Sequence, residues 1–387
     1  MPSAPAYIIA ARRSALGRVG GLHRNRRIEE LAAPVIRAAL ADAQIDPQRV
    51  DEVLIGNATQ GGNPARLIAL AAGLPETAAA ATLDRQCSSG LDAIIAACRT
   101  IGNGEADVIV AGGAESLSTA PWRVAKPRSI YQTPHFIGLE SVAGADEPSE
   151  AQPVEAAEEM SRKLGIGRPQ QDAWALRSHL KAGAAREGKS FVGEIVAIRA
   201  NAEEARDESA IEPAMEDLER LAPLVPPKGT LTRGNTSSFH DGAAMVVLVS
   251  DAVWQELGRP KALRLVASAA QGVAPDDEAG APIEAVKKLY GRLNGINPKD
   301  IGAFELSESS AVQAIAFAAQ LGVDDDHLNA GGGAVVRGHP FGAAGAVLVV
   351  RLFTRLVRNP AGETTRLGLA ARGTLGGRGL AGLCEVT

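Results

Sequence analysis

Two short stretches carry residue types able to do chemistry on an activated carbonyl. In "DRQCSSGLDAIIAACR", residues 84–99, Cys87 stands just before Ser-Ser-Gly and the start of an apolar helical pattern. A helix N-terminus presents unpaired N–H groups and the positive end of the macrodipole, and both favour a thiolate. The backbone N–H of Cys87 is also open to an oxyanion, and Gly90 allows another backbone to approach closely. The alternative reading of the same residue is a buried structural cysteine. In "NAGGGAVVRGHPFGAAGA", residues 329–346, His339 lies in a glycine-dense turn followed by a helix opening over 341–345. Glycines on both sides remove side chains that would block a ligand, so His339 is a candidate base within reach of a thiol.

These residues must be held by the elements around them. Short aliphatic runs alternate with longer helical patterns: "AYIIAA" (6–11), "IEELAAPVIRAALADAQI" (28–45), "VDEVLIGNA" (50–58) and "ARLIALAAGL" (65–74). The rhythm continues through "LDAIIAACRTIGNG" (91–104) and "ADVIVAGGAES" (106–116). Strand, helix, strand with short polar joints predicts a parallel or mixed sheet covered by helices, an α/β fold. From Pro121 to about Arg206 the pattern breaks into Pro-, Asp- and Glu-rich loops with two helical stretches, "VEAAEEMSRKLG" and "QQDAWALRSHLKAGAAREG", which reads as an insertion over the sheet. Strands resume at "GAAMVVLVS" (242–250). The second half then repeats the first with "KALRLVASAAQ" (261–271), a helix near 282–294, "IGAFELSE" (301–308), a helix near 311–321 and a final "GLCEV" strand. The domain reading is an N-terminal half at 1–118, an inserted loop domain at 119–205, the remainder of the first half at 206–257 and a C-terminal half at 258–387.

Composition narrows the class. The chain has 387 residues, 45% hydrophobic and 22% charged, which fits a globular protein with a sizeable core. Only 3% is aromatic against 42 glycines, so the interior is aliphatic with close backbone contacts. A net charge of -5 gives no reason to expect nucleic acid as a partner, although a local basic patch could hold a phosphorylated ligand. Three cysteines make no disulfide framework and point to reduced thiols in a cytoplasmic setting. Cys87 and Cys98, placed on one helix, would share a face about 16 Å apart, too far for a disulfide. No apolar run reaches the roughly 18 residues needed to span a membrane. Arg12, Arg13, Arg18, Arg24, Arg26 and Arg27 suit an organelle transit peptide, but "AYIIAA" reads better as a first strand.

At this point the chain resembles a thiolase, the family that makes or splits 3-oxoacyl-CoA thioesters. The resemblance covers nearly the whole length. It rests on "IIAARRSALGRVGGL", "NPARLIALAAGLPETAAAATLDRQCSSGLDA", "ADVIVAGGAESLS", "GTLTRGNTSSFHDGAA" and "GGGAVVRGHPFGAAGA". It implies two similar halves in five αβαβα layers, a homodimer or homotetramer, no metal, no bound cofactor, and a coenzyme A thioester as substrate. By the same resemblance Cys87 accepts the acyl group and His339 activates it. Ser307 and Glu308 belong to the catalytic set, and Ser237, Asn235 and Gly338 contact coenzyme A.

The sequence departs from the family in four places. Thiolases use a second cysteine, in a Cys-x-Gly-Gly-Gly segment, to move the proton at the α-carbon. Here "GLAARGTLGGRGLAGLCE" (368–385) puts Gly373 at that position, and glycine has no proton to give. Cys384, eleven residues on, is expected to be carried tens of ångströms away by the terminal strand and to be structural. Ser307 stands where the family has asparagine, the family's His-Met-Gly-x-Thr-Ala-Glu stretch reads "QPVEAAEEMS" (152–161), and Arg337 puts a charge two residues before His339. Acyl capture by Cys87 therefore reads as intact and carbanion chemistry as impaired, since one positioned acid/base group contributes roughly 10²–10⁴ in rate. Three readings follow: a C-acyltransferase with altered proton handling, an acyltransferase to an acceptor other than CoA, and an acyl-CoA-binding subunit that works with a small accessory protein.

Overall fold

Strand alternation and helix packing account for the layers. The structure is a computed structural model that describes residues 4–387 except 128, 138–151, 200–202, 209–212, 294–295 and 361–364. The strands among the described residues are β1 (Ala6–Ser14), β2 (Gly17–Arg18), β3 (Glu52–Gly56), β4 (Ala79–Leu83), β5 (Val108–Glu115), β6 (Ile195–Val196), β7 (His240–Ser250), β8 (Leu263–Gly272), β9 (Ile301–Leu306), β10 (Leu367–Thr374) and β11 (Arg378–Val386). They connect in the order β4-β3-β5-β7-β1-β8-β11-β10-β9, with β2 on β7 and β6 on β1. The β1–β8 junction rests on only Tyr7 with Arg264 and Ile8 with Leu263, so the sheet divides there into two halves. In the first half β3 runs parallel to β4 and β5, and β7 antiparallel to β5 and β1. In the second β9 runs parallel to β10, and β11 antiparallel to β10 and β8.

Because successive residues of a strand face opposite sides, each half-sheet feeds two apolar layers. Val247 and Val249 pack outward under the helices Ile28–Ala43 and Pro64–Ala71. Val246 and Leu248 point the other way, into a layer between the half-sheets that holds Ile94 and Ile95 of helix Ser89–Gly102 and Val349 and Leu352 of helix Ala344–Phe353. A third layer packs Val286, Leu289, Val312 and Phe317, from helices Ala281–Tyr290 and Ala311–Leu321, against Leu369 and Ala381 of the second half-sheet. Helix, sheet, helix, sheet, helix is the layered α/β arrangement expected from the sequence.

The two central helices approach closely at their N-termini. A Cβ added at Gly90 would lie 2.9 Å from the Gly342 carbonyl oxygen, and one at Gly345 would lie 2.7 Å from the Leu91 backbone N and Cβ. Only glycine permits this contact, and the contact brings the Cys87 turn to the His339 turn.

Most elements fall where the periodicity predicts. Strands β4, "AAATL", and β10, "LGLAARGT", are too rich in Ala and Gly to announce themselves. The two helices expected in the inserted region form at Gln152–Leu164 and Arg168–Glu187; much of the acidic loop before them lies outside the described residues. Two cysteine expectations need correction. Cys87 sits in a separate single turn, Gln86–Ser88, ahead of the helix that carries Cys98. The terminal segment is a hairpin and not one long strand: Gly373 pairs with Gly379 and Gly368 with Cys384, so Cys384 is five registers away, about 17 Å. It remains remote and structural, buried in the central layer with its thiol pushed up to about 12 by burial. All three cysteines are free. No helix among the described residues is long and apolar enough to cross a membrane.

The arginines near the N-terminus are tied into the fold. Arg13 is fully buried and bonds Glu194 at 2.6 Å and Asp207 at 2.6 and 3.0 Å, while Arg351, on the helix that follows His339, pairs with the other oxygen of Glu194. Burial opposes the Glu194 charge, but Arg351 and Arg13 outweigh it and hold the carboxyl at about 2 against an ordinary 4.5. The folded chain thus keeps this charge where an unfolded one takes a proton, so its stabilisation is complete above pH 4.5 and drains away as pH falls toward 2. Thermal melts across this range should show a steep acid loss in the parent chain. Glu194→Ala, which strands the buried Arg351 and leaves Arg13 only Asp207, should cost about 3–5 kcal/mol at neutral pH and flatten the acid dependence.

Candidate active site

Cys87 is held by both halves. Gln86, just before it, has φ 48°, a left-handed conformation that a side chain adopts at some cost and that aims the next residue off the helix end. The side-chain amide oxygen of Gln86 accepts from Arg378 at 2.8 Å, Ser89 Oγ donates to the Gln86 carbonyl at 2.5 Å, and Ser88 Oγ lies 2.5 Å from Thr374 Oγ1. Two of these anchors belong to the β10–β11 hairpin. The second half therefore clamps the turn that carries the first half's cysteine.

The His339 turn is fixed in the reverse sense. His339 N–H donates to the Ser238 carbonyl and His240 N–H to the His339 carbonyl. Gly342 N–H donates at 2.9 Å to Glu115, the last residue of β5. The same buried carboxylate accepts from Asn57 Nδ2, from the backbone N–H of Ala58 and Thr59, and from Thr59 Oγ1. Burial raises Glu115 to about 7, against the pull of these donors. Gly338, at φ 89°, has no room for a side chain because a Cβ there would fall 2.0 Å from His240 Nδ1.

These supports bring His339 Nε2 to 3.3 Å from Cys87 Sγ. Both side chains are buried, with Phe239 and Phe341 packed beside the imidazole at centroid distances of 5.8 and 5.7 Å. A cavity of about 210 Å³ opens onto the pair and is also lined by Arg372, Gly373, Ser237 and Gln313. Arg372 Nη2 reaches His339 Nε2 at 2.8 Å. Burial, then Arg372 and His240, push the imidazole well below its ordinary value, so it is neutral at physiological pH. Burial raises the Cys87 thiol, and Arg372 is the chief opposing influence. A thiol and a neutral imidazole facing one cavity are the parts of covalent acyl transfer.

Comparison with known proteins decides the family. Residues 6–252 match the thiolase N-terminal domain and residues 259–386 the thiolase C-terminal domain. The chain belongs to the thiolase family. It is 36% identical over 400 residues to a beta-ketoadipyl-CoA thiolase of Pseudomonas putida, covering 97% of this chain and 98% of that one. It is 35% identical over 387 residues to an acetyl-CoA acetyltransferase of Pseudomonas aeruginosa, covering 97% of each. The crystal structure of the Bacillus anthracis acetyl-CoA acetyltransferase superposes with a TM-score of 0.91 at 32% identity over the whole of both chains. The protein is a thiolase-fold enzyme of the acyltransferase class.

Of the residues expected to act, Cys87, His339, Gly373 and Ser237 come together around one cavity. Ser307, Glu308, Asn235 and Gly338 lie behind it and do not line it. Ser307 faces Gln313 at 3.5 Å. Glu308 is buried, accepting from Trp174 Nε1, Ser178 Oγ and Val335 N–H, so in this thiolase it anchors the backbone behind the histidine turn. Asn235 bonds Asp172 and the Thr230 carbonyl, and its own carbonyl accepts from Ala311 N–H at the start of a helix. Arg337 is buried 3.7 Å from Glu305, away from the cavity.

Sequence reasoning passed over Arg372, Gln313 and Glu115. The signal for Arg372 was present: one charge inside "LGLAARGT" on the same strand face as Ala370, which belongs to the central layer. Glu115→Ala should unpair the donors of Ala58, Thr59 and Gly342. The expected cost is at least about 3 kcal/mol in urea unfolding, with slower alkylation of Cys87 as the histidine turn loosens.

Proposed function

We propose that this chain moves acyl groups from acyl-CoA through a thioester on Cys87, as an acetyl-CoA C-acyltransferase of the thiolase type whose proton handling is altered. The contact of Cys87 Sγ with His339 Nε2 at 3.3 Å, inside a cavity that Ser237 flanks, carries this reading. The sulphur attacks the thioester carbon, the Cys87 backbone N–H faces the developing oxyanion, and the CoA sulphur leaves. Exchange of one thioester for another is nearly balanced in energy, so capture needs no strong base. The relatives' names, an acetyl-CoA acetyltransferase and a beta-ketoadipyl-CoA thiolase, support C-acyl transfer as the overall reaction.

A route for the carrier lies beside the cavity. A groove of about 1320 Å³ shares Leu224, Thr236, Ser237 and Phe239 with it and carries Arg18, Arg123 and Arg233. Arginine forks suit phosphate, and this basic mouth fits the phosphates of coenzyme A with the pantetheine arm passing Ser237. Exposed Trp122 and Phe136, which line the same groove, and exposed Ile130 and Tyr131, which lie between them in sequence, fit contact with a second copy of the chain.

A second reading, transfer to an acceptor other than CoA, is favoured by one observation. Gly373 offers no acid or base, and Arg372 occupies the imidazole edge that would otherwise share protons with Cys87. The cavity thus supports acyl capture better than removal of a proton from an α-carbon.

Intact-protein mass spectrometry with a panel of acyl-CoAs should reveal an adduct that Cys87→Ala abolishes. Its discharge by free CoA would support thiolase-type exchange, its persistence until an amine or alcohol is added would support the second reading, and no adduct with any donor would sink both. Exchange of the acetyl-CoA methyl protons into D₂O should be roughly 10²–10⁴-fold below that of a thiolase with both cysteines. Gly373→Cys should raise it, since a Cβ there meets Pro282 at 3.1 Å and Gln313 at 3.3 Å and needs only a few tenths of an ångström of give. Arg233→Ala should raise KM for acyl-CoA by about fivefold, the worth of one exposed ionic contact, and leave kcat nearly unchanged.

A further inference from the structure

Arg372 lies on β10, two residues from Ala370 and so on the strand face that looks into the layer between the half-sheets. It is 2% exposed. Its Nη2 is held on His339, while Nε and Nη1 find no hydrogen-bond partner among the described residues. The carboxylate that lines the same cavity, Glu278, accepts instead from Gly376 N–H. A buried cation with unmet donors is costly unless an anion arrives to meet it. Arg372 and Cys87 line one cavity, Arg372 Nη2 sits 2.8 Å from His339 Nε2, and that nitrogen is itself 3.3 Å from the Cys87 sulphur, which is negative as the thiolate that attacks a thioester and again when it is released from one.

Protonation of His339 would not supply the missing countercharge. An imidazolium there would set a second buried cation 2.8 Å from Arg372, with His240 close by as well. We propose that Arg372 is a catalytic residue of this chain: its guanidinium takes up the negative charge that acyl exchange places on the Cys87 sulphur, and His339 serves as a neutral positioning ring. In the forward step the Cys87 thiol gives its proton to solvent and the thiolate rests against Arg372, the Cys87 sulphur–carbon bond forms, the CoA sulphur–carbon bond breaks, and the departing CoA thiolate takes a proton from solvent. The reverse step returns the acyl group to a thiol and leaves the Cys87 sulphur against Arg372. Other groups facing this pair are His339 and Glu278, the latter opposing ionisation of the thiol.

The inference rests on the reading of Cys87 as the acyl-accepting thiol, but its test needs no acyl-CoA. The rates at which neutral iodoacetamide and anionic iodoacetate alkylate Cys87 are followed by peptide mass spectrometry in the parent chain and in Arg372→Leu, Arg372→Gln, Arg372→Lys and His339→Asn. If Arg372 is the counter-cation, Leu and Gln lower the iodoacetate-to-iodoacetamide ratio about tenfold or more, the effect of one full charge on a buried site. Lys keeps the ratio within about threefold of the parent, and so does Asn at 339. An unchanged ratio in Arg372→Leu and Arg372→Gln, or an equal fall in His339→Asn, overturns the assignment. Should one neutral variant fail to fold, the other together with His339→Asn still decides. A charge-dependent ratio in a chain that forms no acyl adduct would reject the acyl-transfer reading and leave the role of Arg372 standing.

Discussion

The constraint on which the site depends is the close approach of two helix N-termini in the layer between the half-sheets. Cys87 and His339 are 252 positions apart and belong to different halves of the chain. They meet because Gly90 and Gly345 let helices Ser89–Gly102 and Ala344–Phe353 touch backbone to backbone, where any side chain would force them apart. The half-sheets enforce the same approach from outside. Each presents aliphatic residues to the central layer, and only helices with narrow ends fit between them with the density of a packed interior.

Polar groups finish what packing begins, and they do it at the helix ends. Gly342 N–H, just before the second central helix, is met by Glu115 at the end of β5, and Val335 N–H, four residues before the histidine, by Glu308 two residues past the end of β9. The two carboxylates thus stand at related strand ends of the two halves. Both are pushed up by burial and held by several donors, which fix the backbone around them. The cluster of Arg13, Glu194, Asp207 and Arg351 ties the outer face of the first half to the helix that follows His339. Replacing any one member leaves an uncompensated charge indoors, which is why such clusters fix geometry more surely than they add net stability.

How much of this was legible follows from what each signal depends on. Aliphatic runs such as "GAAMVVLVS" and "AVQAIAFAAQL" declare their burial locally, and the structure forms β7 and a helix there. Strands β4 and β10 did not declare themselves, because Ala and Gly in a strand reflect a neighbour that presses close and not a local preference. Cys87 and His339 were legible because glycine surrounds them for a chemical reason. Glu308 reads from the motif as part of the catalytic set, and only its tertiary contacts with Trp174 and Ser178 reveal that it also anchors the backbone behind the cavity. Arg372 was missed for the opposite reason. Attention fell on the neighbouring Gly373, whereas strand parity sends the Arg372 side chain, and not position 373, toward the imidazole.

On the proposed reading Gly373 and Arg372 act together. A group that shuttles a proton at an α-carbon must sit where it can be neutral and charged in turn, and a fixed buried cation next to it lowers the affinity of every neighbour for a proton. His339 already shows this effect, neutral and pushed down by burial and Arg372 together. A thiol placed at 373 while Arg372 stays would be biased toward its thiolate, so it would supply part of the proton transfer but less than a thiol without that cation beside it. Removing Arg372 while Gly373 stays would free the imidazole but leave it no partner across the cavity. On the proposed reading the adjacent pair therefore disfavours proton transfer in the cavity and favours negative charge on the Cys87 sulphur.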